Sequence, residues 1–205
     1  MSESANSKVR AKVWMTPDQV ETLRSASYRT GAEYLQQRNE AIIALMYDTG
    51  LRVGELVQVD VRLLRNGNTE LYVPAEIQKD YPNENSPPPA TLTLSNDTTR
   101  LLSAYLNTRW KDSPALFPSR SADRLSEQGV RNMLHKVADE AGVQPYNVDG
   151  SRGDASDVTP HALRHSVAYR MMNDEKENTL YDVRNRLRHG SIQTTERIYD
   201  HLLKV

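Results

Sequence analysis

The chain has 205 residues, enough for one domain, or one domain with a small appendage, to bury a core without disulfides or a structural metal. It contains no cysteine, which excludes a disulfide framework, zinc knuckles and thiol catalysis. Its 26 Lys and Arg stand against 27 Asp and Glu, so bulk charge argues for neither a nucleic-acid nor a membrane partner. No apolar run approaches the roughly eighteen residues of a membrane span, and Met1 to Lys8 is too polar for a signal peptide. A soluble, cytoplasmic protein is expected.

In chain order, Met1 to Lys12 reads as a disordered tail carrying Lys8, Arg10 and Lys12. Thr16-Pro17-Asp18-Gln19 predicts a helix start, with Thr as cap, Pro in the first turn and Gln closing a capping box. A second helix is predicted over Leu35–Asp48, stopped by Gly50, and a short buried one over Leu51–Val59. Val61–Leu64, the turn Asn66-Gly67-Asn68, Leu71–Ile77 and Thr91–Leu94 predict a small antiparallel sheet. The proline-rich stretch Asp80–Ala90 predicts a loop at its edge. Further helices are predicted over Asp97–Lys111 and Ser126–Glu140, the latter ended by Gly142. A long polar loop, Gln144–Val158, follows, then helices over Thr159–Asn173, Thr179–Arg188 and Thr194–Leu203. The fold class is mainly α with one small antiparallel sheet.

The last quarter concentrates four of the five histidines, His161, His165, His189 and His201, with Arg164, Arg170, Arg184, Arg186, Arg188 and Arg197. A solvated helix face explains such a composition as well as a phosphate site does. Thr159-Pro160-His161-Ala162-Leu163-Arg164-His165 starts a helix whose unpaired amides favour anions, with His161 and Arg164 three apart on one face. Leu163, Val167 and Met171 are placed to hold the opposite side in the core. A metal pair at His161 and His165 is disfavoured, because Ala162 stands where that pattern needs Glu and Arg164 repels a dication. In Leu187 to Tyr199 a helix ends at His189-Gly190 and another begins with Thr as cap, which puts Tyr199 one turn in. Taken alone, Tyr199 is as well explained as a half-buried core residue. Thr49-Gly50-Leu51-Arg52-Val53-Gly54-Glu55-Leu56 sets an arginine after a helix stop with Glu55 within reach, a pattern that a surface salt bridge would also give.

Together these fragments resemble the tyrosine recombinase (phage integrase) family, in the order and wide spacing of its three boxes, over about Trp14 to His201. Thr49–Leu56 looks like its first arginine motif, His161–Arg164 like its His-x-x-Arg box, and Leu187–Tyr199, with Thr194-Thr195, like its final box. The run Leu180 to His189 is similar to archaeal members. Arg188 departs from the usual glycine and is expected to add charge without removing function. Lys79 falls where the family has its catalytic lysine, although a proline-rich loop replaces the usual short hairpin.

The resemblance implies the catalytic-domain fold and a site-specific recombinase that needs no metal, ATP or other cofactor. Tyr199 would attack a DNA phosphodiester to give a 3′-phosphotyrosine and a free 5′-hydroxyl. Phenol is only about 0.1% ionised at neutral pH, and attack builds negative charge on the phosphate, so fixed cations are needed. Arg52 and Arg164 would clamp the phosphate, His161 and His189 orient it and help move the phenolic proton, and Lys79 protonate the leaving oxygen, with Glu55 steadying Arg52. The alternatives are a non-catalytic DNA-binding relative acting as a regulator, and a type IB topoisomerase-like enzyme.

The expected partners are double-stranded DNA and other recombinase subunits on DNA. Residues 13–205 would form the catalytic domain, without the amino-terminal domain that closes over DNA in many members and with only Asp200 to Val205 beyond the tyrosine. A monomer without DNA is therefore expected, with weak, salt-sensitive binding.

Overall fold

The computed structural model describes residues 13–78, 87–175, 177–199 and 202, and its first element is a strand of two residues, β1 (Val13–Trp14). Helix α1 (Pro17–Ala26) starts as its sequence dictates. The Thr16 hydroxyl accepts the Gln19 N–H at 3.4 Å, and the Gln19 side chain accepts the Thr16 N–H at 3.0 Å. Helix α2 (Glu33–Thr49) is buried on nearly all sides from Arg38 onward, which makes it the central element. Gly50 ends it in the left-handed conformation, at φ 65°.

The short helix α3 (Val53–Gln58) begins two residues later than the sequence predicts, because Leu51 and Arg52 form the extended approach to it and Arg52 takes the capping position. The predicted sheet is β2 (Leu64–Arg65), β3 (Glu70–Val73) and β4 (Ala90–Thr93), antiparallel in that order. Asn66, Gly67 and Asn68, all at positive φ, turn the chain between the first two strands. The first two strands are shorter than the sequence predicts, and β4 has the expected length but starts one residue earlier. Val61–Leu63 is a 3-10 turn, and Pro74 ends β3, after which Ala75–Ile77 makes another. Most of the expected loop over Asp80–Ala90 lies outside the described residues.

Helices α4 (Asn96–Thr108) and α5 (Glu127–Ala141) follow. The stretch expected to be an irregular polar loop contains β5 (Tyr146–Asn147), which pairs antiparallel with β1. Two-residue strands have no periodicity to read. Aromatic stacking holds this pair, with the Trp14 ring 6.2 Å from both Tyr146 and Tyr169. Then come α6 (Pro160–Asn173), α7 (Leu180–Leu187) and α8 (Ile192–Tyr199). The last begins earlier than predicted and Ser191, not a threonine, accepts the Thr194 N–H, at 3.2 Å. Tyr199 is consequently its eighth residue and lies two turns in.

Helix α2 packs against α1, α4 and α6 around a core that includes Leu23, Ile42, Leu45, Leu102, Leu134 and Leu163. A second cluster of Val167, Val183, Leu187 and Tyr199 joins α6 to α7 and α8. Among the described residues no helix is long and apolar enough to cross a membrane.

Candidate active site

Three distant stretches of sequence meet where α2 ends, α6 begins and α7 turns into α8. The meeting depends on Gly50. Its left-handed backbone stops α2, and an added Cβ would stand 2.3 Å from Leu187 Cδ2. No other residue lets the first and third stretches approach so closely.

Arg52 follows directly. Its backbone N–H donates to Glu55 Oε2 at 2.8 Å and its Nη1 to Glu55 Oε1 at 2.9 Å. Glu55 is 1% exposed, so this is not the surface salt bridge that the sequence also allowed. A second guanidinium reaches the same carboxylate, with Arg188 Nη2 2.5 Å from Oε2. The sequence had Arg188 simply adding charge; the structure buries it and pairs it. Burial disfavours the ionised form of Glu55, but Arg188, Arg52 and Arg164 outweigh it and hold the carboxyl below its usual range.

Arg164 projects from the start of the second turn of α6 and is almost wholly buried. Nη1 donates to the Gly50 carbonyl and Nη2 to the Leu187 carbonyl, so this one side chain fastens all three stretches. Its charge also acts on the neighbouring Tyr199, favouring the ionised phenol. Burial first, then the neighbouring Arg52, lower the pKa of Arg164 to about 9, so it remains charged at neutral pH.

His161 stands at the rim, exposed, where Thr159 caps α6 by accepting the Ala162 N–H at 3.2 Å. It lines a cleft of about 590 Å³ together with Arg52, Gln58, Gln78, Arg131 and Thr159. His165, one turn on, stacks on His161 with 5.9 Å between ring centroids and forms a T-shaped pair with Tyr199, 5.8 Å between centroids. Its Nδ1 lies 3.1 Å from the Val13 carbonyl, which fixes the ring from the β1 side. The sequence motif contains His165 without assigning it a role. The i,i+4 spacing from His161 was the available signal.

His189 follows the turn after α7. Its Nδ1 is 2.9 Å from Thr195 Oγ1, and its ring lies parallel to that of Tyr199. Burial, then Arg164, Arg52, Arg188 and His165, press its pKa down to about 3, so the imidazole is neutral at pH 7. Tyr199 is 1% exposed. Burial raises its pKa against the pull of Arg164 and Arg52, which keeps the phenol protonated.

Arg52, Glu55, Arg164, His189 and Tyr199 thus come together, and His161 joins them through His165. Lys79 lies outside the described residues; Gln78, which precedes it, lines the cleft. Chemically, the arrangement offers a phenol, a neutral imidazole and three guanidiniums facing one carboxylate. An anion with oxygens to be gripped suits it.

A model of the phage integrase family matches residues 13–204. The tyrosine recombinase XerC of Bifidobacterium longum is 30% identical over 176 residues, covering 81% of this chain and 44% of that protein. The XerC of Vibrio campbellii is 32% identical over 174 residues, covering 82% and 48%. The chain therefore spans less than half the length of these two relatives. The crystal structure of XerA recombinase has the same fold, with a TM-score of 0.69 and 22% identity over 90% of this chain and 57% of that one. A post-cleavage complex of the XerH site-specific recombinase with palindromic difH substrate gives 0.68 and 17%, over 95% and 50%.

Proposed function

The chain belongs to the phage integrase family, and from that premise we propose that it is the catalytic part of a tyrosine-type site-specific recombinase acting through Tyr199 on duplex DNA. The observation that carries this reading is the convergence of Tyr199, Arg164 and His189 beside Arg52 and Glu55, from stretches more than a hundred residues apart.

In the proposed reaction the phenolic oxygen of Tyr199 forms a bond to phosphorus, and the bond from phosphorus to the 5′ oxygen breaks. Arg52 and Arg164 stabilise the charge that builds on the nonbridging oxygens. Neutral His189, with His161 at the rim, orients the phosphate and helps to move the phenolic proton. Lys79 gives a proton to the departing 5′ oxygen. The phosphotyrosine conserves the bond energy, so a free 5′-hydroxyl from another strand can reverse the step without ATP or a metal ion. Further subunits on the same DNA would supply the exchanging strands.

Tyr199 is covered, and its neighbour Arg164 gives its two terminal nitrogens to backbone carbonyls. The reading therefore requires DNA binding to shift α8 and bring a phosphate in contact with both residues. The same shielding suits a DNA-binding relative that never cuts. The two readings separate on a pool of nicked duplexes with randomised sequence around the nick, resolved on a denaturing gel. A protein–DNA band formed by the native chain and missing from Tyr199→Phe is expected. Duplex binding without any such band would favour the non-catalytic relative.

A further inference from the structure

Arg188 occupies the residue after α7 at φ 53° and ψ 50°, the left-handed conformation that favours glycine because a Cβ crowds the backbone there. A long charged side chain at the end of a helix ordinarily extends into water. This one turns inward and is 6% exposed. Its Nη1 donates to the Arg186 carbonyl at 3.2 Å and its Nη2 to Glu55 at 2.5 Å, while its Nε is buried without a partner among the described residues. An unfavourable backbone conformation, burial of a charge and an orphaned donor all accompany a single ion pair. Whatever retains Arg188 at this position has to act through Glu55.

Glu55 already holds Arg52 by two hydrogen bonds. Its carboxylate consequently ties residue 52 to residue 188, which immediately precedes His189. On the other side of the same turn, the Leu187 carbonyl is held by Arg164. The Leu187–His189 turn is thereby pinned from both sides to the arginines of the first and second stretches. From this we infer that Arg188 is a positioning residue: through Glu55 it sets the Arg52 side chain and the His189 ring relative to each other before any phosphate arrives. Its consequence for catalysis rests on the recombinase reading above; the link itself does not.

The test compares the full-length native chain with Arg188→Gly, which relieves the backbone, and Arg188→Lys, which returns a cation able to make one bond. Without DNA, amide hydrogen exchange of residues 52–56 and 187–189 is followed, with ring-proton NMR titration of His189. Arg188→Gly is expected to stay folded, to speed exchange in both segments together by about tenfold, and to raise the His189 pKa. Arg188→Lys should restore much of each. With the nicked-duplex pool, Arg188→Gly should slow adduct formation by roughly a hundredfold at unchanged duplex affinity, the signature of lost positioning, and Arg188→Lys should recover part of the rate.

Exchange and His189 titration indistinguishable from native in Arg188→Gly would overturn the inference. So would native adduct rates in that variant. Should Arg188→Gly fail to fold, Arg188→Lys decides by the same measurements: native exchange in both segments with slowed adduct formation supports positioning, and a native rate opposes it. If the native chain forms no adduct at all, the recombinase reading fails, and the exchange and titration results still judge the link between Arg52 and His189.

Discussion

The imidazole of His189 lies face to face with the phenol of Tyr199, 5.8 Å between ring centroids and 7° from parallel. The stack fixes the tyrosine ring from one side, and the T-shaped contact with His165 fixes it from another. Orientation of the ring therefore does not depend on its hydroxyl. Tyr199→Phe should retain the fold, with a stability change of no more than about 1 kcal/mol on loss of the hydroxyl, and bind duplex DNA with native affinity. It should form no covalent adduct on the denaturing gel. An adduct that survives would move the nucleophile elsewhere, and Tyr181, 61% exposed on α7, is the first candidate.

The two arginines should respond differently to replacement by lysine. Arg52 reaches a carboxylate at the cleft and remains partly exposed, so Arg52→Lys keeps one contact with Glu55. It should cost about 1 kcal/mol in stability and two to three orders of magnitude in adduct formation. Arg164 bridges two backbone carbonyls in a buried place where a single ammonium cannot satisfy both. Arg164→Lys should cost about 3 kcal/mol in urea unfolding as well as activity. Equal stability losses in the two variants would deny Arg164 its bridging role.

Local chemistry made much of the fold legible. Thr16, Pro17 and Gln19 spell out the start of α1, and Gly50 and Gly142 the ends of α2 and α5, because caps and left-handed stops depend on neighbours in sequence. The pairing of β1 with β5 joins Trp14 to Tyr146 and has no local signal. The site divides in the same way. The resemblance of three motifs to the tyrosine recombinase boxes picks out Arg52, Arg164, His189 and Tyr199, each of which taken alone has a bland explanation. It does not tell that Arg164 gives both terminal nitrogens to backbone carbonyls, or that Arg188 turns inward to Glu55. Those facts belong to tertiary packing across more than a hundred residues.

Two glycines at almost the same backbone angle provide a controlled comparison. Gly50 and Gly142 end their helices at φ 65° and 61°, yet a Cβ at Gly50 would clash with Leu187 while one at Gly142 meets nothing within 4 Å among the described residues. Gly142→Ala should cost about 1 kcal/mol, the left-handed strain alone. Gly50→Ala adds overpacking and should cost roughly 2–4 kcal/mol. It should also displace Leu187, and with it the His189 turn. Chemical denaturation of both variants measures the difference, and matching losses would mean that the contact between Gly50 and Leu187 is loose.

Lys79 can be tested through its proposed proton. A substrate with sulfur in place of the bridging 5′ oxygen leaves readily without protonation, so a general acid becomes dispensable. Lys79→Ala should be slowed by two or more orders of magnitude on the ordinary nicked duplex and be close to native on the 5′-phosphorothiolate. Equal impairment on both substrates would assign the acid to another residue.

The histidine beside Tyr199 should leave a mark on stability as pH falls. Burial, followed by Arg164, Arg52, Arg188 and His165, lowers the folded pKa of His189 to about 3, against about 6.5 for a free imidazole. Below pH 6.5 the unfolded chain takes up a proton that the folded chain refuses, so stability must fall with pH. The contribution is fully present above about 6.5 and is lost progressively down to about 3, by about 1.4 kcal/mol per unit. Between pH 7 and pH 5 the loss from this group is about 2 kcal/mol. Glu55 also has a lowered pKa, but its contribution is lost only as the pH falls into and through the ordinary carboxylate range, below the interval from pH 7 to pH 5. His189→Gln can keep a hydrogen bond to Thr195 and does not titrate. Urea unfolding at pH 7 and pH 5 should therefore show a native chain that loses about 2 kcal/mol more than the variant. Parallel losses would mean that His189 titrates normally in the folded chain, and that the neutral imidazole assigned to the proposed proton transfer is not held there by burial and the arginines.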